Sequence, residues 1–454
     1  MKCKVKRDAI IVPIGIMNGM NVDEKIRASA GIYLCILISV IPMFAWKIGY
    51  DFGTEHAWQA VAIALAKIGA FGGMAMFTVS LILSGRYRFY EKLFGGLDKM
   101  YVAHRFFCTF SVVLLFLHPV SLSILRLPDG AGESLAIWFM VSDFSIWLGA
   151  FALYLFIALV LWTILARARY EVFVHVHRLL GVVFILGASH AFLAGSVLGS
   201  NPFMYWYMLV LTLFASFTFV TYSLFGDIFH KPVKYRMKQI LERPHGVVEL
   251  VLQPTSRIIR FAPGQFVYIS FPELDGHGYH PFSISSGKQS AELTLSIRKS
   301  GDFTNQIDKL KPGTIANVKG PYGGFILRLN SRRKQLWIAG GIGVTPFMSG
   351  ASSLRYAPRK NRTEVEMVYA TADKHPYGID VLEGVEARNK AFNVTLFDKK
   401  TFGHVSFDTL AAQISDIKDR DIYICGPPAM LSALREEAMK AGFAHNLRYE
   451  DFSY

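Results

Sequence analysis

Four histidines stand inside long apolar runs: His104 and His118, fourteen residues apart, and His177 and His190, thirteen apart. An ionisable ring is costly in hydrocarbon and marks function by default. A hydrogen bond between helices would account for one such histidine about as well as chemistry would. It does not account for two runs that each carry a pair at similar separation. Bis-imidazole ligation of iron takes one nitrogen from each side of a flat macrocycle, so two facing helices must supply matched pairs. Thirteen or fourteen residues rise roughly 20 Å along a helix, about the separation of two macrocycles stacked across a membrane. Fourteen residues turn through about 1400°, roughly 40° short of whole turns, so His104 and His118 share a face. Thirteen turn through about 1300° and leave His177 and His190 out of phase on a straight helix, whereas His175 and His190 differ by only about 60°. Either His175 is the ligand, or the helix is distorted where Gly181 and Gly187 permit a kink.

A second set of residues handles phosphate. Gly340-Gly341-Ile342-Gly343-Val344-Thr345-Pro346 stands between an apolar strand pattern and a helical one. Glycines let a backbone approach a pyrophosphate closely, and the following helix N-terminus offers amides and the positive end of a dipole. The run is not G-x-G-x-x-G, so the dinucleotide fingerprint does not apply directly. Cys3, Cys35, Cys108 and Cys425 are scattered with no C-x-x-C, which excludes a disulfide scaffold and a thiolate zinc or iron–sulfur centre.

These residues must be positioned by two different kinds of chain. Of 454 residues 52% are apolar and 18% charged, and mean hydropathy is +0.33. That excludes a disordered or collagenous chain and an ordinary soluble enzyme. Six runs are long enough to cross about 30 Å of hydrocarbon: Ala28–Trp46, Trp58–Ser84, Tyr101–Leu125, Phe144–Ala166, His175–Ala194 and Pro202–Phe225. Lys67, inside the second, is read as snorkelling outward. Ala9–Met20 is apolar but too short to span and is read as lying along the interface. Asp23, Glu24, Lys25 and Arg27 interrupt any signal-peptide pattern.

Basic residues collect at Lys2, Lys4, Lys6 and Arg7, at Arg86, Arg88, Lys92, Lys99 and Arg105, at Arg167, Arg169 and Arg178, and at Lys231, Lys234, Arg236 and Lys238. The alternate loops hold almost none. Both termini are therefore expected in the cytoplasm of a multi-pass cell-membrane protein. The net charge of +14 is then topological and implies no nucleic acid. Beyond Lys231, β-rich runs at Val247–Leu252, Gln265–Phe271, Glu292–Arg298 and Ile315–Val318 suggest a small antiparallel barrel. From Lys334, strand and helix patterns alternate as in a parallel sheet: Gln335–Ala339, Pro346–Tyr356, Val365–Thr371, Val381–Asn389, Ile422–Cys425 and Met430–Gly442. The expected domains are a cytoplasmic segment 1–27, a di-haem membrane bundle 28–228, a barrel 229–333 and an α/β domain 334–454.

Several motifs give this outline a resemblance. Leu97-Asp98-Lys99 before His104 and His118, and Glu171-Val172-Phe173 before His177 and His190, resemble the third and fifth spans of the NADPH oxidase and ferric reductase superfamily. His280-Pro281-Phe282-Ser283, introduced by Pro263-Gly264-Gln265-Phe266, resembles the flavin signature of its ferredoxin-reductase-like module. Ile297-Arg298-Lys299-Ser300-Gly301-Asp302-Phe303-Thr304 resembles the second flavin element, and Gly320-Pro321-Tyr322-Gly323 the closing loop. Cys425-Gly426-Pro427-Pro428 and the ending Glu450-Asp451-Phe452 complete the set.

The resemblance implies that His104 and His177 clasp an inner b-type haem and His118 and His190 an outer one. It also implies that Arg105 and Arg178 meet haem propionates, although both fit equally as positive-inside anchors. Phe184, between the two levels, is better read as packing than as a bridge. On the same footing FAD is held by His280, Pro281, Phe282, Ser283, Arg298, Gly301 and Thr304, with Ser283 near the flavin N5. NADPH or NADH is held by Gly340, Gly341, Gly343, Thr345, Pro346, Cys425, Gly426 and Pro427. Cys425, unless it is a buried structural thiol, and Glu450 lie by the hydride path, and Phe452, or else Tyr449 or Tyr454, stacks on the flavin. NADPH-selective relatives place an arginine after the strand Val365–Thr371; here Ala372, Asp373 and Lys374 follow, which leaves the donor open.

The implied activity is transfer of electrons from cytoplasmic NAD(P)H through FAD and two haems to a small acceptor across the bilayer. Oxygen, giving superoxide, comes first on the His280-Pro281-Phe282-Ser283 and span-three resemblance; a ferric or cupric chelate comes second, since apolar Leu122 one turn past His118 and a first span without arginine both count against an oxygen pocket. Two other classes fit parts of the sequence. One is a haem-containing subunit whose soluble half only docks a partner; the other is a soluble reductase anchored by helices. The sequence shows no EF-hand or SH3-type segment and calls for no obligatory protein partner.

Overall fold

The computed structural model describes residues 22–450 except 49–52, 54–55, 140–142, 167–169, 195–197, 199, 276–277, 355–362, 399–400 and 402. The expected interfacial segment Ala9–Met20 and the ending Asp451–Tyr454 lie outside the described residues. The chain divides into two compact units, one of Ala28–Phe94 and Lys99–His230 and the other of Lys231 onward, which also takes in Gly95–Asp98 and, among the described residues, 22–27.

The first unit is helical. Its long helices are α1 (Val22–Ala45), α2 (Ala57–Leu83), α3 (Leu97–Arg126), α4 (Phe144–Leu165), α5 (Tyr170–Leu193) and α6 (Pro202–Thr218). Among the described residues α2 to α6 provide five helices long and apolar enough to cross a membrane. α1 adds a shorter apolar stretch, Ser29–Ala45, among the described residues. Five of the six expected spans are met by these helices, and the first, Ala28–Trp46, falls on α1. Half of the apolar window of α2 is buried, against 28% or less in the other four, so α2 is the axis of the unit. Its Phe71 and Phe77 pack in one cluster with Phe156, Phe184, Met204 and Phe219 from other helices and the turn after α6.

Helix ends are closed by local chemistry. Asp143 caps α4 by accepting from the backbone of Ser145 and Ile146. Asn201 caps α6 through Met204 N at 3.1 Å, and its amide donates to Ala45 O at 3.1 Å, which satisfies a free carbonyl at the end of α1. Past α6 the chain widens into a π-turn, Phe219–Leu224. A Cβ on Gly181 would lie 2.2 Å from the Phe219 ring. This glycine therefore makes room for a neighbour, and α5 runs as unbroken α-helix through both Gly181 and Gly187. Between α3 and α4 lies a further helix, Ala131–Phe139, tied to α3 by Ser134 Oγ donating to Ser123 O and Trp138 Nε1 to Ser123 Oγ.

The second unit holds two sheets. The antiparallel one contains β1 (Val233–Arg243), β2 (Val247–Pro254), β3 (Phe266–Ser270), β4 (His280–Ser283), β5 (Leu293–Arg298) and β6 (Ile315–Tyr322), ordered β4-β3-β6-β1-β2-β5. An antiparallel bridge between Ile284 and Leu295 brings the edge strands β4 and β5 together, so the sheet curls on itself. The side chains of Val233, Tyr235 and Met237 are buried while Lys234, Arg236 and Lys238 are exposed, the period of a half-buried strand.

The second sheet holds β7 (Gln335–Gly340), β8 (Val365–Thr371), β9 (Phe392–Asp398), β10 (Asp421–Cys425) and β11 (Leu447–Glu450), ordered β11-β10-β7-β8-β9. Every neighbouring pair in it is parallel. β7 and β10 are buried along their whole length, as central strands covered on both faces must be. The covering helices include α7 (Thr345–Leu354), α8 (Ile379–Glu386) and α9 (Pro428–Lys440).

Candidate functional site

In the helical unit, glycine lets backbone reach imidazole. A Cβ on Gly69 of α2 would lie 2.7 Å from Leu114 O and 2.9 Å from His118 N, and one on Gly73 2.7 Å from Leu115 Cγ. At this close approach Ala66 O of α2 stands 2.9 Å from His118 Nδ1 and Ser80 O 2.8 Å from His104 Nδ1. Gly149 of α4 does the same for α5: a Cβ there would lie 2.6 Å from the His190 ring, and Ser145 O is 2.7 Å from His190 Nδ1. A carbonyl can only accept, so Nδ1 carries the proton in all three rings and Nε2 is left as the accepting nitrogen, which at His104 faces the Cys108 thiol.

The His104 and His177 rings lie with centroids 6.3 Å apart, inclined at 68°. His177 also stacks on Phe173 at 5.2 Å, and its Nδ1 is buried without a hydrogen-bond partner. His175 is exposed on the same helix, so of the two residues the phase arithmetic left open, it is His177 that meets His104. His118 and His190 are each held through Nδ1 by a carbonyl, of α2 and of α4. Cys108, one turn after His104, bonds to Ser80 Oγ at 2.7 Å and lies 3.6 Å from His104 Nε2. Arg105 and Arg178 are exposed. Phe184 is fully buried, edge-on to Phe77 at 5.3 Å, which places it in the packed core. No group of three or more His, Cys, Asp or Glu side chains converges among the described residues.

In the second unit, β4 presents His280 with its ring stacked on Phe303 at 3.7 Å, Phe282 6.1 Å from the same ring, and Ser283 buried. Arg298 ends β5, exposed. Thr304 Oγ1 accepts from the backbone of Ser300 and Gly301, each at 2.9 Å, and folds this turn tightly. Gly341 adopts φ +55°, and a Cβ there would come 4.0 Å from Arg298 Nη1. The arginine and the glycine loop thus share one mouth.

The loop packs down on the end of β10. A Cβ on Gly343 would lie 2.3 Å from Cys425 O, one on Gly340 2.8 Å from Pro427 Cδ, and one on Gly426 2.4 Å from Met430 Cε. Thr345 Oγ1 donates to Ile342 O at 3.0 Å and Pro346 is buried in the first turn of α7. Cys425 and Glu450 are register partners on β10 and β11, both buried. Burial, then the Glu450 charge, pushes the Cys425 thiol well above the usual range. It is a packed, protonated thiol. Phe452 lies outside the described residues.

The barrel and the α/β sheet are clasped by polar side chains. Tyr377 OH lies 2.6 Å from Glu249 Oε1 and 2.7 Å from Ser296 Oγ, and Ser349 Oγ donates to Ser286 O at 2.7 Å. Burial first, and the bonded Glu249 next, raise the Tyr377 hydroxyl far above its usual range, so it remains a donor. The sequence reading missed these residues, as it missed Ser80, Ala66 and Ser145. The Gly69-x-x-x-Gly73 spacing was the one signal for the close helix contact; backbone carbonyl partners leave none.

Comparison with known proteins matches three successive stretches of the chain to family models. Residues 70–188 match "Ferric reductase like transmembrane component", 233–323 "FAD-binding domain" and 337–436 "Oxidoreductase NAD-binding domain". Flavohemoprotein A of Dictyostelium discoideum is 26% identical over 236 residues, 47% of this chain and 58% of its own length. NADPH oxidase 3 of Rattus norvegicus is 32% identical over 129 residues, 26% of this chain and 22% of its own. Ferric reduction oxidase 8, mitochondrial, of Arabidopsis thaliana is 32% identical over 136 residues, 27% of this chain and 18% of its own. The chain thus spans little more than half of the first of these relatives and about a fifth of the other two.

Proposed function

For a chain that joins a ferric-reductase-type membrane component to FAD- and NAD-binding oxidoreductase domains, we propose transmembrane electron transfer from NAD(P)H to a small acceptor. FAD, when bound, supplies the exchange between two-electron and one-electron chemistry, and haem iron the one-electron relay. The residues present fit both groups. His104 with His177, and His118 with His190, offer paired imidazoles at two levels of α3 and α5. The observation that carries the reading is the hydrogen bonding of Nδ1 at His104, His118 and His190 to backbone carbonyls, which fixes the tautomer a metal-ligating histidine uses. The His104 and His177 rings, with centroids 6.3 Å apart, would hold one haem group between them. Arg105 and Arg178, next in sequence to the inner pair, are placed to meet carboxylates.

On the soluble side Arg298 and the amides of Gly340–Val344 neutralise and cradle phosphate, Ser283 offers a hydroxyl at the flavin edge, and Cys425–Pro427 floors the nicotinamide site. Phe452 is assigned the stacking role on the resemblance alone. The bilayer orientation follows from the basic loops, with both termini and both nucleotide-binding domains cytoplasmic.

Oxygen is the preferred acceptor and a ferric chelate the second reading, favoured by the ferric-reductase match and by apolar Leu122 past His118. Purified full-length protein loaded with haem and FAD decides between them. Superoxide-dismutase-sensitive reduction of cytochrome c by NAD(P)H is the expected result; brisk reduction of iron chelates without it moves the assignment to ferric reductase. A pyridine haemochrome assay returning no haem would overturn both.

A further inference from the structure

Past Thr371 the chain turns through Ala372, Asp373, Lys374 and His375 at the carboxyl end of β8. β8 lies beside β7 in parallel register, Gly340 opposite Ala370, so this turn opens next to the glycine loop. Tyr369 ties the two together, its hydroxyl 3.1 Å from both Gly341 O and Tyr377 O. Burial, and secondarily the Asp373 carboxylate, keep that hydroxyl protonated well above its usual range.

Asp373 is held in place. Its backbone N–H donates to Thr371 Oγ1 at 3.0 Å, and its Oδ2 lies 3.4 Å from His245 Nδ1. His245 comes from the turn between β1 and β2 in a left-handed conformation, φ 63°, and its Nε2 lies 3.4 Å from His375 O. The far end of the loop is fixed by Tyr377 on Glu249 and Ser296. The other charges nearby are disposed differently. His375 Nε2 is 3.1 Å from Asp380 Oδ1, and Lys374 is exposed with no partner among the described residues.

In an open parallel sheet a dinucleotide lays its pyrophosphate on the glycine loop and its adenosine ribose past the end of the next strand. A carboxylate there accepts from a ribose 2′-hydroxyl, and its charge repels a 2′-phosphate. We propose that Asp373, positioned by His245, makes NADH the preferred electron donor over NADPH. This rests on the reading above that the soluble unit oxidises a nicotinamide dinucleotide.

The test measures kcat/KM for NADH and NADPH on the full chain with FAD bound and ferricyanide as acceptor. Wild type should favour NADH by roughly tenfold or more, and Asp373→Ser should cut that preference by a similar factor, chiefly through a lower KM for NADPH. His245→Asn should move the ratio in the same direction by less, again in KM and not in kcat. A wild type that prefers NADPH, or a ratio that moves with Lys374→Ala and not with Asp373→Ser, overturns the proposal. Oxidation of neither dinucleotide would sink the donor reading itself, and this inference with it.

Discussion

A histidine ring in an apolar helix bundle has two nitrogens to satisfy, and the structure answers for one of them at His104, His118 and His190 with a carbonyl from a neighbouring helix. That bond costs the host helix little, because a carbonyl has two lone pairs and keeps its own helical partner. The residue scale also settles what Cys425 does. Buried against Glu450, its thiol has a pKa raised well above 9, so in the folded state it is protonated and a poor nucleophile at pH 8. Iodoacetamide at that pH should leave Cys425 unmodified in native protein and label it after denaturation, as read by mass spectrometry. By linkage, a thiol that ionises only when the chain unfolds adds stability that is intact below pH 9 and declines above it.

At the scale of elements, the membrane helices are placed by what they lack. Gly69 and Gly73 bring α2 onto α3, Gly149 brings α4 onto the His190 ring, and Gly181 admits Phe219. Gly149→Leu should displace His190 and remove about one of two haems per chain while leaving flavin content unchanged, measured by haemochrome and FAD assays on the same sample. Flavin and haem falling together would mean a folding defect. The same scale shows where sequence patterns mislead. Lys234, Arg236 and Lys238 read as a cluster that fixes topology, yet they are also the exposed face of β1, whose alternate residues are buried. β9 and β11 were not anticipated either, since four to seven residues without flanking turn signals carry little periodicity.

For the whole molecule, the proposal is that two chemistries joined in one chain work in series. His118→Leu separates them. It should remove one haem and abolish reduction of an acceptor on the far side, while NAD(P)H oxidation with added ferricyanide continues at the soluble unit. Undiminished far-side reduction in that variant would support an anchored reductase instead.

Hydropathy, charge asymmetry and the spacing of histidines and glycines determined the division into membrane and soluble halves and the candidate ligands, because these depend on residue type along one chain. Which of His175 and His177 meets His104, which carbonyl holds each imidazole, and that a turn of the barrel positions Asp373 were decided only by tertiary packing. The reason is that side-chain direction and backbone partners depend on how closely separate elements approach, and a carbonyl looks alike at every position in a sequence.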